Sequence, residues 1–229
     1  MPVTLGTLGA TCAPRFPVVI ADDCPAMREG LARLISDECD LVIVDSAATT
    51  EELRACIARK PPAVLIMELV LHNEDGLALI KDLLEATPGL RIVVFTFQPE
   101  EVYAARCFRA GVKAFVGKRD SVGALFRAVR EVIAGGMVVP AAVSQSLAGA
   151  APTPKVAANG VAGRLTDREL QVFRLVGLAQ PTRVIAEKLG VSVKTIETHR
   201  EHIKNKLDLQ SHDELVARAA QWVRESGGV

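Results

Sequence analysis

An α/β domain followed by an all-α one is what this sequence predicts: a doubly wound, five-stranded parallel sheet and then four helices. Three observations carry the prediction. Five short apolar runs alternate with amphipathic segments between residues 17 and 135. After Gly135-Gly136 comes a stretch poor in charge and rich in Ala, Gly and Pro. Beyond it, helix-start signals recur at Thr166, Pro181, Ser192 and Ser211.

The first strand is "VVIA" (18–21), and the others are "LVIV" (41–44), "AVLIM" (63–67), "RIVVF" (91–95) and "AFVG" (114–117). Their nearly unbroken apolar character suits strands buried on both faces. Amphipathic segments near 26–37, 50–59, 75–86, 100–110 and 121–134 supply the helices between and after them. Strands alternating with helices imply right-handed crossovers and a parallel sheet. In such a sheet functional groups gather beyond the carboxyl ends of the strands, where strand order switches.

The run "PAAVSQSLAGAAPTPKVAANGVAG" reads as a linker with one helical turn around residues 143–147. In the second domain, Thr166 and Glu169 form a capping box, and Leu170, Phe173 and Val176 give the first helix its buried face. Pro181 and Thr182 open a short helix ending at Gly190, and Ser192 caps a longer one running to about Leu207. Ser211 and Glu214 form a further capping box for a last helix with a stripe of Leu215, Ala219 and Trp222 or Val223. The chain therefore divides into a disordered tail (1–15), a first domain (16–139), a linker (140–163) and a second domain (164–229).

Composition narrows the class. With 229 residues the chain can bury two cores. No apolar run approaches the roughly 18 residues of a membrane span, and the first 15 residues lack the basic start of an export signal. Five cysteines (Cys12, Cys24, Cys39, Cys56, Cys107) show neither disulfide-framework nor zinc spacing, which suits a reducing cytoplasm. Charge balances at 27 basic and 27 acidic residues, but 11 and 9 of these lie from Arg164 onward, leaving a +2 half beside a −2 half. That permits nucleic-acid binding by the second half.

Chemistry-bearing residues fall at four strand ends: Asp22-Asp23, Glu68, Thr96 and Lys118. An acidic pair, a carboxylate, a hydroxyl and a lysine in that order resemble the phosphorylation site of a response-regulator receiver domain, a flavodoxin-like fold. The resemblance implies that Asp22, Asp23 and the carbonyl of Val70 serve a magnesium ion, that Thr96 and Phe115 act as the switch pair, and that Lys118 pairs with the phosphate. Clustered carboxylates hold such a metal while one aspartate attacks phosphorus. Here that phosphoacceptor-equivalent position carries Glu68. Its carboxylate reaches about 1.5 Å farther, and in-line transfer tolerates such misplacement poorly. Leu71-His72-Asn73 also replaces the usual Met-Pro-Gly, so the loop should have another shape. Three readings stand: Glu68 fills the place of a phosphate oxygen and holds an active-like state, the pocket is a relic, or a residual magnesium or phosphodonor response survives. No cofactor is required, and magnesium binding stays open.

A short helix, a Gly-containing turn and a longer capped helix make a helix-turn-helix, whose second helix would enter a major groove. The stretches "LTDREL" and "VIAEKLGVSVKTIETHREHIKNKL" resemble the LuxR-type domain of the NarL/FixJ family of response regulators. At about 100° per residue, Ile196, Ile203 and Leu207 share the packed side of the long helix, and Lys194, Thr198, Glu201 and Asn205 the opposite one. The resemblance maps base reading onto Glu197, Thr198 and Glu201, with Lys194, Thr195, Arg200, Lys204 and Lys206 completing the DNA-binding set. Lysine is common at two of the base-reading positions in relatives. Glutamate accepts a hydrogen bond from the cytosine amino group, so it would specify rather than anchor. Ala179, Pro181 and Val184 depart from the family pattern in the turn.

The expected function is a non-enzymatic, sequence-specific transcription regulator, binding double-stranded DNA as a homodimer and controlled without phosphorylation. The alternative is an interaction protein that titrates a sensor kinase or another regulator and touches DNA weakly. A magnesium-dependent phosphatase is disfavoured, because no correctly placed nucleophile is present.

Overall fold

The structure is a computed structural model, and it describes residues 15–72, 74, 76–140, 143 and 160–225. Most of the expected tail, and the helical turn at 143–147 apart from Val143, lie outside the described residues.

The first domain contains β1 (Phe16–Ala21), α1 (Pro25–Ser36), β2 (Leu41–Ala47), α2 (Thr50–Arg59), β3 (Val64–Met67), α3 (Gly76–Ala86), β4 (Ile92–Thr96), α4 (Glu100–Ala110), β5 (Ala114–Gly117) and α5 (Val122–Ile133). All strands pair in parallel, in the order β2-β1-β3-β4-β5. Alternate residues of each strand enter opposite layers, as a period of two requires. Val18, Ile20, Val64 and Ile66 face Leu31, Ile35, Leu125 and Val129 of α1 and α5. Val19, Ala21, Leu65 and Met67 face the layer of α2, α3 and α4. The apolar runs read from sequence are therefore buried on both sides.

The second domain contains α6 (Val161–Arg164), α7 (Asp167–Gly177), α8 (Thr182–Lys188), α9 (Val193–Leu207) and α10 (His212–Glu225). The turn α6 straddles the end of the stretch read as linker, and its Val161 is buried. The capping box at Thr166 and Glu169 is present in full. At α10, Ser211 Oγ accepts from Glu214 N at 3.1 Å, but Glu214 returns its carboxylate to the N–H of Gln210. Phe173 and Trp222 tilt together with ring centroids 5.9 Å apart, tying α7 to α10.

The apolar layer on the α3 and α4 side does not stop at the domain edge. It continues into Leu170, Val172, Phe173, Leu175 and Val176 of α7. No described helix is long and apolar enough to cross a membrane.

Candidate functional site: a filled acidic pocket and an exposed helix

Backbone pairing runs one step past three strands and fixes the pocket. Asp22 N donates to Ala47 O at 3.0 Å, Glu68 N to Ala21 O at 2.7 Å, and Lys118 N to Thr96 O at 2.8 Å. Asp22, Glu68, Thr96 and Lys118 thus converge where β1 and β3 diverge toward opposite edges, the switch point of such a sheet. All four side chains are buried.

Glu68 is fully engaged. Its Oε1 accepts from the Thr96 hydroxyl, from Leu69 N at 2.7 Å and from Val70 N at 3.2 Å. Its Oε2 lies 2.7 Å from Lys118 Nζ, which also contacts Asp22 Oδ2 at 2.5 Å. Burial alone would push the Lys118 ammonium down, but Glu68 and Asp22 outweigh it and hold it above the usual lysine range. Thr96 Oγ1 in turn accepts from Gln98 N at 3.1 Å, so the hydroxyl joins Glu68 to the start of the next loop. Phe97 covers the lysine, with Nζ 5.3 Å from its ring centroid, and Phe115 is buried.

A hard divalent cation needs several oxygen ligands converging on one point. Here the Lys118 ammonium sits between Asp22 and Glu68, Asp22 Oδ1 accepts from Cys24 N at 2.9 Å, and Asp23 Oδ2 accepts from His72 N at 3.1 Å. Val70 offers its N–H to Glu68. Among the described residues, no three His, Cys, Asp or Glu side chains gather as a ligand set. The residues as placed do not fit the magnesium ion that the resemblance implies.

His72 adopts a left-handed φ of 48°, which costs a non-glycine residue about 1–2 kcal/mol. Its N–H bond to Asp23 and an Nδ1 contact with Ala48 O at 3.1 Å offset that strain. Gly76 closes the loop, because a Cβ there would collide with the Leu69 carbonyl.

In the second domain α8 and α9 form the expected helix-turn-helix. Ser192 caps α9 by accepting from Thr195 N at 3.0 Å. Ala179 takes a left-handed φ of 55°, so the departure noted in the turn carries real strain. Ile196 and Ile203 are buried, while Lys194, Glu197, Thr198, Glu201, His202 and Asn205 are exposed on the opposite side. Thr195 is half-buried beside its cap, and Lys204 pairs with Glu201 at 2.9 Å.

Two expected phosphate contacts are used internally. Lys206 Nζ binds Glu169 Oε2 at 2.6 Å, and Arg200 donates to Thr182 Oγ1 at 2.6 Å. Burial pushes the Arg200 guanidinium below its ordinary range, against the pull of Glu197. Arg200 lies four residues after Ile196 and three before Ile203, the spacing of the packed side, and that spacing was the available signal. Sequence reasoning missed Arg106, Asp167 and Arg174, which lie where the two domains meet.

Comparison with known proteins follows the same division. Residues 18–130 match the response regulator receiver domain, and residues 163–219 match the luxR family of bacterial regulatory proteins. The chain is 34% identical over 207 residues to the oxygen regulatory protein NreC of Staphylococcus haemolyticus, covering 88% of this chain and 95% of the relative. It is 28% identical over 204 residues to the response regulator GacA of Pseudomonas viridiflava, covering 89% and 95%. Its fold matches the RcsB response regulator of Salmonella typhimurium with a TM-score of 0.72 at 24% identity, covering 91% and 98%. A structure of RcsB bound to the promoter P1flhDC matches with a TM-score of 0.70 at 23% identity, covering 90% and 99%.

Proposed function

The chain belongs to the NarL/FixJ-type response regulators, transcription regulators that join a receiver to a LuxR-type DNA-binding domain, and from that premise we propose that it works without phosphorylation. In this reading Glu68 stands where a phosphorylated aspartate would place its oxygens. The observation that carries it is the double engagement of one carboxylate, Oε1 by Thr96 and Oε2 by Lys118, inside a buried pocket. Thr96 and Lys118 are the groups that would close on a phosphate, and here Glu68 already satisfies them.

The protein then binds sequence-specific double-stranded DNA as a homodimer on paired half-sites. It needs neither magnesium nor another cofactor, and it is not an enzyme. Bases are read from Glu197, Thr198 and Glu201, with Lys194 and Lys204 toward the phosphates. Affinity leans on dimerisation, because two carboxylates on the reading face repel the backbone. Those same exposed glutamates favour a second reading, in which the chain titrates a sensor kinase or another regulator and touches DNA weakly.

Selection of bound duplexes from a random pool by untreated full-length protein, with Glu68→Ala in parallel, tests both. Enrichment by the unmodified chain alone supports the surrogate carboxylate. Enrichment by both makes the pocket a relic, and enrichment by neither favours the partner-titrating reading.

A further inference from the structure

Arg106 on α4 points out of the receiver. Its side chain is only 9% exposed, yet every acceptor it uses belongs to the second domain. The guanidinium binds the Asp167 carboxylate, Ala162 O at 2.6 Å and Leu165 O at 2.8 Å. These acceptors form the corner between α6 and α7. A planar guanidinium with several donors fits a fixed corner as an ammonium cannot. Lys81 also approaches Asp167, at 3.5 Å, but both side chains are about half exposed and such a pair contributes little.

Apolar contact continues the seam. Leu69, Leu77 and Tyr103 of the receiver face Leu170, Arg174 and Leu175 across a gap of about 30 Å³, which is room for roughly one water. Burial there pushes the Arg174 guanidinium below its ordinary range, against the opposing pull of Tyr103 and Glu68.

The direction of the effect follows from what the seam leaves open. Docking uses α7, while Lys194, Glu197, Thr198, Glu201, His202 and Asn205 of α9 remain exposed in the same docked arrangement. Docking therefore does not cover the reading face. The helix that carries Arg106 begins two residues after Gln98, whose N–H is held by Thr96, the hydroxyl bonded to Glu68.

We propose that Arg106 is a positioning residue for DNA binding, clamping the second domain onto α4 in the orientation that the Glu68–Thr96 pair sets. Docking through it promotes DNA binding rather than masking it. This rests on the reading of Glu68 as a phosphate surrogate in a DNA-binding regulator.

The test uses the full chain with Arg106→Ala, Arg106→Lys, Glu68→Ala and the Glu68→Ala/Arg106→Ala double variant. Three quantities are read: radius of gyration by small-angle scattering, affinity for the duplexes recovered by selection, and unfolding of the second domain from Trp222 fluorescence. Arg106→Ala should expand the molecule and leave the Trp222 transition in place. Its affinity should fall about tenfold if the competent orientation drops to about a tenth of the population. Arg106→Lys should recover part of the loss, and the double variant should bind no worse than Arg106→Ala. An Arg106→Ala chain that binds DNA as well as or better than the unmodified chain overturns the clamp alone, whatever its size. Failure of the unmodified chain to select any duplex removes the DNA-binding reading and the proposal with it.

Discussion

Lys118 and Glu68 form a buried ion pair, Nζ to Oε2 at 2.7 Å, with the two side chains 3% and 9% exposed. A charge taken out of water is tolerated only with partners, and removing one leaves the other uncompensated. In Glu68→Ala, Asp22 still holds Lys118, but the Thr96 hydroxyl and two backbone N–H groups lose their acceptor. We expect a loss of roughly 1–3 kcal/mol in receiver stability, measured by urea unfolding, and weaker DNA binding. Glu68→Asp withdraws the carboxylate by about 1.5 Å. If the geometry of Glu68 is what prevents transfer, this variant should label with acetyl phosphate and the unmodified chain should not.

The reading face of α9 separates base contacts from anchors. Thr198→Ala and Glu201→Ala should change base preference by about 1–3 kcal/mol per affected pair. Lys194→Ala should weaken all duplexes alike and reduce the salt slope by about one. Lys206→Ala is different, because its ammonium binds buried Glu169. It should lower the Trp222 unfolding midpoint, and an unchanged midpoint would return Lys206 to the phosphate-contacting set.

Acid should weaken the second domain before it weakens the first. Burial, with the Arg168 charge beside it, pushes His199 below the ordinary histidine range despite Glu169, and its Nδ1 is buried without a hydrogen-bond partner. Because the folded value is the lower one, His199 costs nothing above the unfolded pKa of about 6.5. Stability is lost as pH falls from there toward the folded value. Glu169 is also lowered; burial opposes this, but Lys206 and Thr166 outweigh it. Its contribution is full above the unfolded pKa of about 4.3 and is lost as pH falls from there toward the folded value. Trp222 melts at about pH 7.5 and about pH 5.5 should therefore differ, and His199→Gln should remove most of that difference.

Gly177 ends α7 against α10. A Cβ there would collide with the Ala219 carbonyl and press on Val223. Gly177→Ala should cost about 1–3 kcal/mol through forced separation of the helices, seen as an earlier Trp222 transition. An unchanged or later transition would mean that α10 can shift without loss.

What the sequence made legible is what short-range physics determines. Apolar runs located all five strands to within three residues at either end, and cap residues Thr166 and Ser192 located the starts of α7 and α9. The pocket members were legible because strand ends are a topological address. Arg106 was not, since its partners lie 56 to 61 positions away in sequence and no periodicity encodes such a contact. Lys206 looked like a free cation for the same reason: its carboxylate partner is 37 residues upstream. At α6, Val161 reads as one more small apolar residue in a low-charge run, and only its burial distinguishes it.

The two borders of the sheet are both unsuited to recruiting another strand. Along β2 the register slips opposite Val18 and Val19, so Val44 has no pairing partner on β1, and Asp45 projects a carboxylate held by Arg59 at 2.5 Å. Along β5, Val138 returns beside Ala114, and its N–H donates to Lys113 O at 2.9 Å. A bulge with a charge on one border and a short covering segment on the other are the means by which sheets avoid templating aggregation. Copies of this chain crowded together on neighbouring sites would therefore meet through helices, and their assemblies should stay reversible on dilution.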